Sequence, residues 1–181
     1  GDGDGVVEFG SEDDLAVLGN PIPDMTLGFN LNMDYKGIDF AASLYASVGN
    51  KAVRSYERFL TYSNKSRLYL DRWTGEGTSN TTPRASTNAS NNYLFSDFFV
   101  EDASFLRIQN VQIGYSIPSS TLEKIKMDKV RLYVAANNLY TFTKYSGYNP
   151  DVSNANPAAA GVDLGQYPQT RTYTLGINVS F

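Results

Sequence analysis

Residues 27–48 read LGFNLNMDYKGIDFAASLYASV, and this stretch decides the fold. Apolar residues occupy every second position on both sides of the dipeptide Lys36-Gly37. A two-residue period is typical of a β-strand with one apolar face, and Lys36-Gly37 provides a two-residue hairpin turn. Soluble strands are about five to six residues long, whereas tilted strands that cross a bilayer need about nine to eleven. The length of these two runs therefore favours a membrane barrel.

The same alternation recurs later in the chain and predicts five long strands, at residues 26–35, 38–49, 105–117, 130–142 and 170–181. In the third strand, apolar residues occupy both odd- and even-numbered positions, so they would face both sides of a regular strand. This pattern indicates either a bulge near Gln109-Asn110 or partial burial under loops. The last strand is the most regular, and it ends on Phe181. An aromatic residue at that position is typical of the lipid interface of an outer-membrane barrel.

The connections between these strands fall into two length classes. Lys36-Gly37 and the segment 118–129 are short, whereas residues 1–24, 50–104 and 143–169 form long segments without a sustained period. This sorting predicts an all-β antiparallel barrel with short periplasmic turns at one end and long extracellular loops at the other. The alternative is a soluble, secreted β-sandwich that binds carbohydrate through aromatic loops.

Composition excludes several classes of function. The chain of 181 residues carries 15 basic and 19 acidic residues, a formal net charge of −4, so it lacks the excess of basic charge expected of a nucleic-acid binder. Cysteine and histidine are both absent, which excludes disulfides, thiol nucleophiles and histidine-based triads. The adjacent carboxylates Glu101 and Asp102 point to opposite sides of an extended segment and do not form a glycosidase pair. We therefore expect no enzyme activity.

Several motifs resemble one family of outer-membrane proteins. Residues 105–118 (FLRIQNVQIGYSIP) and 131–150 (RLYVAANNLYTFTKYSGYNP), together with residues 18–24, 71–74, 165–168 and 173–181, resemble the C-terminal part of the SusC/RagA family of TonB-dependent transporters. Two loop motifs depart from the family pattern. Gly75-Glu76-Gly77 replaces the usual Pro-Glu-Asn after Trp73-Thr74, and Asn149-Pro150-Asp151 replaces the usual Asp-Pro-Glu.

The resemblance implies a 22-stranded barrel in the outer membrane of a Gram-negative, Bacteroidetes-like bacterium. Members of the family import oligosaccharides or peptides with a SusD-like surface lipoprotein, driven by TonB. Residues 1–181 are then expected to be the C-terminal part of the barrel, without the plug domain and the TonB box. The expected partners are the N-terminal part of the barrel and its plug, TonB acting through that region, the lipoprotein and outer-membrane lipid.

Three groups of residues are candidates for direct roles. The resemblance implies that the last strand carries the barrel-assembly signal, Tyr173, Leu175, Ile177, Val179 and Phe181. Five loop aromatics are candidates for ligand contact, with loop packing as the alternative: Tyr69, Trp73, Tyr93, Tyr145 and Tyr148. Asp2 and Asp4 resemble half of a Ca²⁺ loop, but Ser11 stands at the position of the expected glutamate, so the sequence favours an ordinary acidic surface loop over a metal site. We expect no other cofactor.

Overall fold

The computed structural model describes residues 12, 15–56, 67–85, 95–123, 126–152, 154 and 156–181. Its strands are β1 (Met25–Tyr35), β2 (Ile38–Val48), β3 (Lys51–Arg54), β4 (Val100–Asp102), β5 (Phe105–Ser116), β6 (Lys129–Thr143), β7 (Val162–Asp163) and β8 (Thr172–Ser180). The described helical elements are one α-helical turn, α1 (Ser119–Leu122), and 3₁₀ turns at Arg67–Asp71, Asp97–Phe99 and Pro157–Ala159. The predicted all-β antiparallel class is confirmed.

The five long strands form one antiparallel sheet in the order β1-β2-β5-β6-β8. Lys36 and Gly37 both have positive φ, 48° and 84°, as a type I′ hairpin turn requires. This turn sets Tyr35 opposite Ile38, and the register then continues without a shift to Met25 opposite Val48. β1 and β2 each have 11 residues, β5 has 12 and β6 has 15, all longer than ordinary soluble strands.

One face of this sheet is apolar across all five strands. Because directly paired residues share a face, the register defines rows that cross the sheet. The central row contains Leu31, Ala42, Val111, Ala136 and Tyr173, and the next row contains Met33, Phe40, Ile113, Val134 and Leu175. We call this surface the apolar face. Many of its larger side chains are exposed, to 52% for Ile113 and 81% for Leu175, whereas Ala42 in the central row is buried.

The opposite surface, which we call the polar face, is formed by the alternate residues. One of its rows contains only amide and hydroxyl side chains, namely Asn30, Ser43, Asn110, Asn137 and Thr172. Two pairs within this row are hydrogen-bonded. The Ser43 hydroxyl donates to Asn30 over 2.8 Å, and the Asn110 amide donates to Asn137 over 2.7 Å. The sheet therefore separates an apolar surface from a hydrogen-bonding one.

A bulge explains the mixed parity of β5. The pairing of β5 with β2 shifts between Ile108 and Asn110, so Gln109 is the extra residue, and the pairing with β6 is irregular at the same level. Before the bulge, the even-numbered residues of β5 lie on the apolar face, and after it the odd-numbered residues do. Leu106 and Ile108 consequently join the apolar face, whereas Phe105 and Arg107 lie on the polar side and are 5% and 3% exposed.

The long connections contain more structure than the sequence predicts. β3, β4 and β7 lie within the segments 50–104 and 143–169, which were predicted to be loops, and they form a separate sheet in the order β4-β3-β7. That prediction was incomplete because these strands have two to four residues, too few to show a period. Ala52, Ala103 and Tyr145 form a small core beside this sheet, with Val152 packed against it.

The β-sandwich alternative requires a second sheet over the apolar face. Among the described residues, β3, β4 and β7 pair only with each other, and many large side chains of the apolar face are exposed, among them Phe29, Ile113 and Leu175. The described part of the chain thus contains no sandwich core. No helix in that part is long and apolar enough to cross a bilayer.

Candidate functional site

The long connections gather at one end of the large sheet and are tied to it by buried polar groups. Arg107 lies at the long-loop end of the polar face and is 3% exposed, and its guanidinium contacts three acceptors. Nη2 donates to Asn149 Oδ1 over 2.9 Å, Nε to Thr141 Oγ1 over 3.2 Å, and Nη1 pairs with Asp151 Oδ2 at 3.3 Å. Arg107 therefore fastens the loop after β6 onto two strands, and its buried charge is compensated there.

A second arginine connects the small sheet to the same loop. Arg54 is 2% exposed and pairs with Glu101 Oε1 at 3.0 Å, while its guanidinium lies 5.1 Å from the ring centroid of Phe98. Glu101 also accepts hydrogen bonds from the Ser146 amide over 2.8 Å and from the Ser146 hydroxyl over 2.7 Å. Glu101 thus bridges β3 and the loop after β6.

The third tie is made by Tyr145, which the sequence marks as a candidate ligand contact. The side chain is 5% exposed, and its hydroxyl donates to Asp163 Oδ2 over 2.6 Å. Burial, followed by the Asp163 contact, raises the pKa of Tyr145, so the phenol is held in its neutral form. Asp163 Oδ1 accepts from the amides of Gly165 and Gln166. This placement favours loop packing over ligand contact for Tyr145.

Replacing Tyr145 by Phe is expected to leave the aromatic packing intact and to remove the hydrogen bond to Asp163. An acceptor that loses its donor in a buried site costs about 1–3 kcal/mol of local stability. Amides of residues 160–166 are then expected to exchange hydrogen about five- to hundredfold faster, while amides in β5 and β6 keep their protection. Equal acceleration in both regions would show that Tyr145 supports the whole sheet instead of this loop.

Two further polar interactions lie near strand ends, a hydrogen-bonded carboxylate in the loop region and an ion pair at the other end of the sheet. The carboxylate of Asp102 accepts from the Ser104 hydroxyl over 2.6 Å and from the Ser104 amide over 2.9 Å, and these bonds lower the pKa of Asp102. At the opposite, short-turn end of the sheet, Arg131 forms a two-pronged ion pair with Asp39 across the intervening strand β5. This ion pair lies on the polar face, beside Gly114.

The other candidate aromatics that the structure describes, Tyr69, Trp73 and Tyr148, do not converge on one site. Trp73 is 39% exposed and lines a pocket of about 560 Å³ with Thr82 and Phe98. Tyr148 is 74% exposed and lines a different pocket of about 470 Å³ with Arg107. Tyr69 lies in the 3₁₀ turn Arg67–Asp71, where its carbonyl accepts from Arg72. Tyr93 lies outside the described residues.

The predicted metal-binding residues lie outside the described part of the chain, whereas the predicted assembly residues lie on or next to β8. Asp2 and Asp4 lie outside the described residues, and the described part of the chain contains no group of three or more metal-ligating side chains. Tyr173, Leu175, Ile177 and Val179 lie on β8, and Phe181 follows its last residue. β8 forms one edge of the sheet, so its second backbone edge has no partner strand among the described residues.

The ion pairs and hydrogen bonds of Arg54, Glu101, Arg107, Tyr145 and Asp163 join the long connections, and we call this group the loop cluster. The sequence did not predict these contacts. Arg54 and Glu101 are 47 positions apart, and Tyr145 and Asp163 lie in segments without a period. The available signal was Arg107, a charge within an apolar strand, together with Asn149-Pro150-Asp151 in a motif that resembles the family.

Comparison with known proteins decides the family. The chain is 33% identical over 188 residues to TonB-dependent receptor P3 of Formosa agariphila, and the match covers 99% of this chain and 18% of the receptor. It is 31% identical over 184 residues to the TonB-dependent receptor SusC of Bacteroides thetaiotaomicron, covering 99% of this chain and 17% of SusC. The RagAB peptide importer in its open-open state superposes with a TM-score of 0.75 at 28% identity, over 100% of this chain and 20% of that chain.

The chain has the sequence and fold of the SusC/RagA family of TonB-dependent receptors. The large two-faced sheet is accordingly a portion of the β-barrel that these transporters share. No protein-family model matches the chain. The chain spans about a fifth of the length of these SusC/RagA relatives. The relatives named above are receptors and an importer, which agrees with the expectation that the chain performs no bond chemistry.

Proposed function

We propose that this chain forms part of the wall and the extracellular loops of an outer-membrane, TonB-dependent importer of oligosaccharides or peptides. The supporting observation is the sheet itself, which has one continuous apolar face, one hydrogen-bonding face and all its long connections at one end. The apolar face suits contact with lipid, and the hydrogen-bonding face suits a water-filled or plugged lumen. In such barrels the extracellular loops are longer than the periplasmic turns.

The position of this segment follows from the same proposal. β1 and β8 are the two edges of the described sheet, and unpaired strand edges are not tolerated in hydrocarbon. Further strands of the receptor therefore complete the barrel on both sides, and its plug domain faces the amide row of the polar face. The small sheet and the tied loops lie outside the membrane, where a SusD-like lipoprotein is the partner. We place this receptor in a bacterium of the Bacteroidetes type.

Uptake by intact cells tests the proposed function. Cells are supplied with fluorescently labelled oligosaccharides or oligopeptides. A strain lacking the receptor that contains this chain is expected to lose import of one of these two classes, and a strain lacking TonB is expected to show the same loss. Fractionation is expected to place the receptor in the outer membrane as a heat-modifiable band. Unchanged uptake of both classes in the deletion strain would contradict the importer proposal.

Trp73 and Tyr148 are the candidate aromatics whose exposure suits ligand contact. Replacing either by Ala is expected to raise the substrate concentration needed for half-maximal uptake about five- to tenfold, the effect of losing roughly 1–1.5 kcal/mol of aromatic contact. Tyr145→Phe is the matched control, because its ring is buried and its change should leave uptake near normal. Uptake that is unchanged in both alanine variants would assign these rings to loop packing or to contact with the lipoprotein partner.

A further inference from the structure

The pocket of about 470 Å³ beside Arg107 lies where the polar face meets the tied loops, and we call it the arginine pocket. Arg107, Thr141 and Thr143 line it from β5 and β6, and they continue the polar face beyond the amide row toward the long-loop end. Asn149 lines it from the loop after β6, and Arg171 from the segment that leads into β8. Two strands and two connections therefore build this pocket on the polar side of the sheet.

The charge of the arginine pocket is opposite to that of the chain. The chain has 15 basic and 19 acidic residues, a formal net charge of −4. Of the described residues that line the pocket, two are arginines and none is acidic. The other lining residues include the amide of Gln169 and the phenol of Tyr148. A pocket with two guanidinium groups and further polar side chains favours an anion that has several acceptor oxygens.

Arg107 gives the pocket a fixed cation. The residue is 3% exposed, and its guanidinium is held by Asn149, Thr141 and Asp151. Each terminal guanidinium nitrogen has two N–H groups, so Nη1 and Nη2 each keep one that has no partner among the described residues. Asp151, which compensates the charge, is not one of the lining residues. Arg107 is thus held in one orientation and still has unused donors.

Arg171 supplies a charge that is uncompensated in the described part of the chain. No ion pair or side-chain hydrogen bond of Arg171 occurs there, and the residue is exposed. Its guanidinium carbon lies 5.8 Å from the ring centroid of Tyr140, a contact that stabilises a cation without neutralising it. Asn138 donates to the carbonyl of Thr170 over 3.2 Å and so fixes the backbone just before Arg171. A planar guanidinium binds a carboxylate through two parallel hydrogen bonds.

We propose that the arginine pocket binds a carboxylate group of the imported molecule, so that the receptor favours acidic nutrients over neutral ones. Arg171 forms the ion pair, Arg107 adds its unused donors, and the 74% exposed ring of Tyr148 contacts the adjoining unit of the substrate. The inference rests on the proposed importer function, in which this end of the polar face is the extracellular mouth of the lumen. A carboxylate is the anion that both nutrient classes share, as acidic side chains in oligopeptides and as uronates in oligosaccharides.

The test measures binding of probes with an uncharged dye to the full receptor, purified in detergent, so that transport and TonB are not needed. Two pairs of probes differ only in their carboxylates. One is an oligopeptide pool rich in aspartate and glutamate, compared with the same pool carrying asparagine and glutamine. The other is an oligogalacturonate, compared with its methyl ester. We expect one acidic probe to bind about tenfold more tightly than its neutral partner, and the pair that shows this preference identifies the nutrient class.

Substitutions connect this preference to the pocket. Arg171→Gln is expected to weaken binding of the acidic probe about tenfold and to leave the neutral probe unchanged, and Arg171→Lys to give an intermediate loss, because the charge remains and the bidentate geometry is lost. Lys144→Gln is the matched control. It removes an equal charge from an exposed residue at the same end of the sheet, outside the lining of the pocket, and is expected to bind both probes as wild type does.

Three results would overturn this inference. They are equal binding of the acidic and neutral probes in both pairs, equal loss of both probes in Arg171→Gln, and equal losses of the acidic probe in Arg171→Gln and Lys144→Gln. Each of them leaves the importer proposal standing, since cells that require the receptor for uptake still support it. Unchanged uptake in the deletion strain would instead contradict the importer proposal, whatever the purified receptor binds.

Discussion

Replacing Val111 by Arg is expected to lower the folding stability of the receptor barrel by about 2–4 kcal/mol, the cost of an arginine at the lipid-facing midplane of a barrel. Val111 stands in the central row of the apolar face, between Ala42 and Ala136. Both neighbours are too small to shield the new charge, and no carboxylate occurs in that row. The measurement is urea-dependent folding of the receptor into lipid vesicles, followed by heat-modifiability.

Gln112→Arg provides the control for that prediction. Gln112 is the next residue of β5, pairs with Ala41 and Ala135, and lies on the polar face. An arginine there is hydrated by the lumen in the proposed orientation, so the folding free energy should change by less than about 1 kcal/mol. Equal losses for the two variants would contradict the assignment of one face to lipid.

Removing Phe181 is expected to give the largest effect on assembly. Phe181 is 84% exposed and continues the apolar row of β8 at the edge of the sheet. We propose that this row, from Tyr173 to Phe181, is the element that the barrel-assembly machinery recognises. The amount of folded receptor in the outer membrane should then fall severalfold, with the unfolded chain accumulating or being degraded in the periplasm. The measurement is the ratio of heat-modifiable to unmodified receptor in membrane fractions.

Conservative replacement separates recognition from bulk stability. Phe181→Tyr keeps an aromatic ring at the interface, where its hydroxyl meets the headgroups, so assembly should stay close to the wild-type level. Phe181→Asp keeps the chain length and should fail as the deletion does. If the deletion variant forms a normal heat-modifiable barrel, Phe181 is not part of the assembly signal.

The long strands were predictable because their information is local. A two-residue period survives in the sequence wherever one face is apolar, as it is along β1, β2 and β8. The bulge was visible for the same reason, since an exchange of parity at Gln109 leaves apolar residues at both Leu106 and Val111. The bounds at the ends of these strands depend on hydrogen bonds to other strands, which a single run of residues does not encode.

The loop cluster was much less predictable because its contacts are distant in the chain. Arg107 meets Asn149 across 42 positions and Ser146 meets Glu101 across 45, and no spacing rule connects such residues. Tyr145 illustrates the consequence. Its residue type suggests a ligand contact, yet its burial and its bond to Asp163, which only the folded chain reveals, favour a packing role.

The direct test of the central claim is the environment of adjacent residues on the two faces. The chain has no cysteine, so in a receptor whose other segments are also free of cysteine, single cysteines each report one position. The positions are Leu31, Ile113 and Leu175 on the apolar face and Asn32, Gln112 and Thr174 on the polar face. The cysteines carry nitroxide labels, and the receptor is placed in lipid vesicles. Labels on the apolar face should be accessible to oxygen and shielded from a nickel chelate, whereas labels on the polar face should be accessible to the nickel chelate and less accessible to oxygen. Labels on both faces with the same accessibility would contradict a barrel wall between lipid and lumen.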